Sequence, residues 1–149
     1  MATKAAIEGF LAEKKFAVLG ASRSGGKMGN MVLKDLADTY TMYPVHPEAD
    51  EVGGVKSYRT FSDLPESVNA AFIAVAPSKS AAAVKTAHEA GIKKVWIQQG
   101  AHSPEAIEYC ENNGITAVTK QCIFMFAEPV TSIHKFHRFV KRIFGGLPK

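Results

Sequence analysis

One feature narrows the fold more than any other: short apolar runs alternate with segments of helical spacing. The runs are residues 15–20, 41–45, 70–76, 94–98 and 115–119. The helical segments are residues 3–14, 27–40, 78–91 and 103–114, with a last one over 128–145. Met28, Met31, Val32 and Leu36 recur at the spacing of one helix face. Ser78 or Ser80 is expected to cap the third helix and Gly91 to close it. Ser103 with Pro104 reads as an N-cap followed by the first helical position. Alternation of this kind makes a parallel sheet covered on both faces. Right-handed crossovers turn it into a doubly wound, Rossmann-like α/β fold of about five strands, with an extra C-terminal helix. Pro44 marks its run as an edge strand or a strand end. Residues 46–65 are the least regular stretch and are expected to hang over the carboxyl edge of the sheet. At 149 residues the chain is expected to form one domain, residues 1–149.

In such a sheet, ligands bind beyond the carboxyl ends of the strands, beside the first one. The loop there reads Gly20, Ala21, Ser22, Arg23, Ser24, Gly25, Gly26, Lys27, Met28, Gly29. Glycines let backbone N–H groups approach an anion, and the next helix adds the positive end of its dipole. Arg23 and Lys27 add charge. A phosphate-bearing ligand is the expected guest. The P-loop pattern fails, because the lysine arrives one position late and Met28 cannot hold Mg²⁺. The dinucleotide pattern fails at Ser22, and the second strand ends in Val45, His46 and Pro47 rather than an acid. The acids Glu48, Asp50 and Glu51 follow later. Ordinary NAD binding is therefore disfavoured, and an NAD(P)-dependent reductase, with Arg23 pairing a 2′-phosphate, stands as an alternative.

The chain resembles the stand-alone CoA-binding domain family, related to the CoA-binding domain of the succinyl-CoA synthetase alpha subunit. The resemblance is carried by Val18 to Ser22, Tyr43 to Pro47, Gly54, Leu64-Pro65, Ala76-Pro77, Val95 to Gly100, Gly114-Ile115 and Cys122. It implies that CoA or an acyl-CoA is the ligand. It further implies that Gly20, Ala21, Ser22, Arg23 and Lys27, with Met28, line the diphosphate and ribose-phosphate region. Val45, His46 and Pro47 would flank adenine or ribose. Ala76 and Pro77 would flank the pantetheine arm, and Gln99 and Gly100 the thiol end. The family usually carries Asn at His46 and an Asp-Arg pair where this chain has Lys120-Gln121. The synthetase reaction needs further domains, so the expected role is a binding, sensing or carrier module without a catalytic constellation. No tyrosine has a lysine four residues on, as a reductase of the Tyr-x-x-x-Lys type requires.

The remaining residues set the other expectations. The formal net charge is +4, yet residues 120–149 hold six basic residues against Glu128 alone. The excess therefore describes the terminal segment, and nucleic acid is not the expected partner. Arg138, Lys141 and Arg142 offer a basic interaction face as a further alternative. Ile133, Phe136, Val140, Ile143 and Phe144 form an apolar stripe suited to core packing or a homodimer contact. His134 and His137 have no evident further ligand for a metal. Cys110 and Cys122 make neither a disulfide framework nor a zinc spacing, which fits a reducing, cytoplasmic setting. Cys122 lies on the ligand edge and is a candidate for thiol modification. Glu8 and Glu13 interrupt the first residues, so no signal peptide is expected, and no apolar run approaches the length of a membrane span.

Overall fold

The computed structural model describes residues 3–127. The chain runs α1 (Lys4–Leu11), β1 (Lys15–Leu19), α2 (Met28–Asp35), β2 (Thr41–Val45), β3 (Glu51–Val52), β4 (Val55–Lys56), β5 (Ala70–Ile73), α3 (Pro77–Glu89), β6 (Lys94–Gln98), α4 (Pro104–Asn112) and β7 (Thr116–Gln121). Five strands form one parallel sheet in the order β2-β1-β5-β6-β7. The order reverses between β1 and β5, which sets the switch point at the carboxyl end of β1. The expected helix over 128–145, with His134, His137, Arg138, Lys141 and Arg142, lies outside the described residues.

Period-two alternation divides the strands between two cores. Phe16, Val18, Phe72 and Trp96 enter one core, shared with Ile7 and Phe10 of α1 and Val32 of α2. Ala17, Ile73, Val95 and Ile97 enter the other, with Val84 and Ala87 of α3 and Ala106 of α4. Phe10 packs on Phe16 and edge-on to Trp96, with ring centroids 5.1 and 5.5 Å apart. That contact, with the 2.6 Å pair Lys94–Glu13, docks α1 under the sheet.

Several boundaries differ from the sequence reading. α2 stops at Asp35 rather than near Tyr40. Asp35 and Asp38 sit at the negative end of the helix dipole, and Tyr40 turns in to pack 5.6 Å from Phe16. α3 begins at Pro77, with Ala76 rather than Ser78 or Ser80 at the N-cap. Proline is preorganised for that first position. Ser80 is buried and donates instead to the carbonyl of Ala101. Ser103 does cap α4, accepting from Ala106 N–H at 3.1 Å. β5 ends at Ile73, and β7 continues to Gln121 through a register shift opposite Gln98.

The stretch over 46–65 is more ordered than its composition suggests. β3 and β4 form an antiparallel hairpin turned by Gly53 and Gly54, both at positive φ (57° and 78°). Two such residues in succession make the turn that matches strand twist. The chain then returns beside β2: Val45 bridges Tyr58, and His46 N–H donates to Tyr58 carbonyl at 2.8 Å. This return brings residues 57–61 to the carboxyl edge. Among the described residues no helix is long and apolar enough to cross a membrane.

Candidate functional site

The loop from β1 to α2 is shaped by two close approaches. A Cβ on Gly20, at φ +123°, would collide with the carbonyl of Ala74 just past β5. A Cβ on Gly29 would lie 2.6 Å from the Gly20 carbonyl carbon. These two glycines let β1, β5 and α2 converge on one point. Gly25 and Gly26 also have positive φ, but open space surrounds them. They give the loop its outward bow.

Asn30 holds that bow in place, and the sequence reading did not single it out. Its Oδ1 accepts from Ser22 N–H at 2.9 Å and from Lys27 N–H at 3.3 Å. Its Nδ2 donates to Ser22 carbonyl at 3.0 Å. Ser22 Oγ donates to Gly25 carbonyl at 2.9 Å. The signal available in sequence was an amide side chain at the third position of a helix whose N-cap, Lys27, cannot accept a hydrogen bond. No side chain of the N-cap residue closes this end of α2, so the first-turn N–H groups of Met28 and Gly29 face the loop with the dipole behind them. Met28 is half-buried against the core, while Arg23 and Lys27 are exposed.

The second wall comes from the end of β2. Val45 is buried, His46 half-buried and Pro47 exposed. His46 Nδ1 accepts from Glu48 and Ala49 N–H, both at 3.0 Å. That network assigns the ring proton to Nε2. Arg23 reaches Glu48 at 3.7 Å, an exposed pair joining the two walls. Arg59 donates to Asp50 at 2.6 Å and to Pro47 carbonyl at 3.3 Å. The hydrogen bond and charge of Arg59 hold the Asp50 carboxyl below its usual range. Leu19, Val45, Pro47, Arg59 and Ala83 line a largely apolar cleft of about 230 Å³ beside this wall. A larger, polar hollow of about 430 Å³ opens away from the loop, between Phe61, Glu66, Asn69 and Lys93.

Farther along the edge, Ala76, Pro77, Gln99 and Gly100 are exposed. Beyond Gly100, the Nδ1 atom of His102 is buried with no hydrogen-bond partner among the described residues. Buried polar atoms are nearly always paired. Cys122 is buried, and its Sγ accepts from Gln98 Nε2 at 3.1 Å. Gln98 Oε1 in turn accepts from Ile123 N–H at 3.0 Å. Cys110 lies within the α4 core, where burial pushes its thiol up to about 11.

Fold and loop geometry together define a doubly wound, Rossmann-like α/β domain with a glycine-rich turn at its switch point. Residues 14–128 match the model of the CoA binding domain family, and the chain belongs to that family. It is 29% identical over 136 residues to an ADP-forming acetate–CoA ligase of Archaeoglobus fulgidus, covering 84% of this chain and 20% of that one. The chain therefore spans about a fifth of that ligase. It is 27% identical to the uncharacterized protein YneT of Bacillus subtilis, covering 74% of this chain and 82% of YneT. Among solved structures it matches a conserved hypothetical protein of Pyrococcus furiosus at 39% identity and TM-score 0.68, covering 73% and 95% of the two chains.

Proposed function

We propose that the chain binds coenzyme A or an acyl-CoA along the carboxyl edge of the sheet and acts as a cytoplasmic binding, sensing or carrier module. The diphosphate lies on the turn over 20–27, against the N–H groups of Met28 and Gly29, with Arg23 and Lys27 as counter-charges. The base lies in the apolar cleft beside Val45 and Pro47. The pantetheine arm passes Ala76 and Pro77 toward Gln99 and Gly100. The observation that carries this reading is the helix end of α2, which receives no cap from the side chain of Lys27 and is faced by a loop that Asn30 braces around it. Helix N-termini of this form bind phosphate through N–H groups and dipole together.

The acids after β2 bear on the competing dinucleotide reading. Asp50 and Glu48 each stand beside a cation, Arg59 and Arg23, so this wall offers charge to a phosphate rather than an unopposed carboxylate to ribose hydroxyls. Calorimetry with CoA, acetyl-CoA, NAD and NADP side by side tests the proposal. Binding of CoA with no response to NAD or NADP is expected. The opposite pattern would overturn it in favour of an oxidoreductase-like protein.

A further inference from the structure

We propose that Arg59 reads the ribose 3′-phosphate of coenzyme A, leaving the diphosphate to the turn that carries Arg23 and Lys27. The inference rests on the coenzyme A reading and assigns one part of its ligand. The 3′-phosphate sits on the adenosine ribose, next to the base, whereas the diphosphate leaves from the 5′ side. A cation that recognises it must stand where the base is held. Arg59 lines the same cleft as Val45 and Pro47. It is placed there by the return of the chain beside β2, one residue past the Val45–Tyr58 bridge.

The electrostatics of the rim favour this assignment. Arg59 is half exposed, and a guanidinium carries five N–H donors in a fixed fork. Among the described residues two contacts engage it, with Asp50 Oδ1 and the Pro47 carbonyl. The remaining donors suit the planar, two-pronged recognition of a phosphate. Asp50 is 90% exposed, so its carboxylate can swing into water when a phosphate dianion arrives. Arg23, by contrast, reaches across to Glu48 from the opposite wall. The 3′-phosphate, which the sequence alone would share between Arg23 and Lys27, thus acquires its own cation.

The test measures dissociation constants of the full chain for CoA and dephospho-CoA by calorimetry. The wild type is expected to prefer CoA. Arg59→Gln should weaken CoA about tenfold and leave dephospho-CoA unchanged, the scale of one charge-assisted contact. Asp50→Asn should bind CoA at least as tightly as the wild type, because a like charge has gone. Equal loss of both ligands in Arg59→Gln overturns the assignment, as does equal affinity of the wild type for the two. Loss of both ligands in Asp50→Asn also overturns it, since Arg59 would then act as a strut for the β3–β4 hairpin. Failure of the wild type to bind either ligand refutes the coenzyme A reading itself, a separate result.

Discussion

Replacing Asn30 with Ala removes both prongs of the grip on the turn. Two good hydrogen bonds disappear, to Ser22 N–H and Ser22 carbonyl, with a longer one to Lys27 N–H. A typical intramolecular hydrogen bond contributes about 1 kcal/mol net, and an abandoned buried partner adds about 1–3 kcal/mol. Ser22 is only half-buried, so water rescues part of that second amount. The expected destabilisation is about 2 kcal/mol. A domain of this size loses roughly 2–4 °C in Tm per kcal/mol, which places the shift at about 4–8 °C. Urea unfolding followed through the single tryptophan, Trp96, reads the loss directly, because that ring is fully buried and its Nε1 donates to Gln121 carbonyl at 3.0 Å. The midpoint should fall with the slope unchanged. Asn30→Asp keeps the acceptor but sets a carboxylate at the helix end proposed to hold phosphate. It should weaken CoA binding more than Asn30→Ala does. A loss below about 0.5 kcal/mol in Asn30→Ala, the range of ordinary surface changes, would refute the bracing role.

Further outcomes follow from the same geometry. Gly20→Ala meets the Ala74 carbonyl at a positive φ and should destabilise by more than about 2 kcal/mol, whereas Gly25→Ala, in open space, should cost about 1 kcal/mol; thermal unfolding of the pair checks the contrast, and equal losses would contradict it. Glu66 is held below its ordinary range, first by the hydrogen bond from Lys15 and then by that from Tyr43. A depressed carboxyl stabilises above its unfolded value and loses that contribution as pH falls through the folded one, so Glu66→Gln should flatten the acid limb of stability below about pH 4.5. The Tyr43 phenol is raised, chiefly by its hydrogen bond to Glu66; its contribution is present below about pH 10 and fades as pH rises through the folded value. We propose that oxidised CoA exchanges with Cys122, forming a protein–CoA disulfide and releasing one free CoA thiol. Intact mass should show the adduct in the wild type and not in Cys122→Ser, and a wild type without adduct ends the idea.

The sheet was legible because its strands are short, apolar and separated by segments of helical spacing. Lys15–Leu19, Thr41–Val45 and Lys94–Gln98 stand where the apolar runs stand. The switch-point loop was legible because its glycines cluster before a helix. What escaped was cooperation between distant residues. Asn30 is one polar residue among many until Ser22 is folded back onto it. Arg59 lies fourteen positions beyond Val45, and only the return of the chain beside β2 brings it to the cleft. The β3–β4 hairpin did leave a local sign, the pair Gly53-Gly54 between Val52 and Val55. The serines ahead of α3 misled because Pro77 supplies a start that needs no cap, which frees Ser80 for the Ala101 carbonyl. Gln98 ends one apolar run and Cys122 lies just past another, and their contact follows from the β6–β7 register.

Pro44 also shapes how the molecule meets others. Along β2, alternate residues bond inward to β1, and Pro44 falls at an outward position, so its missing N–H takes nothing from the sheet. Its carbonyl accepts from Tyr58 N–H at 2.9 Å. The open margin of the sheet therefore lacks one donor and has its neighbouring acceptor covered. A foreign strand would find no continuous ladder there, which lowers the hazard of edge-to-edge aggregation. The same clamp pins β2 against sliding, so Val45 and Pro47 keep their orientation toward the cleft through encounters with other chains.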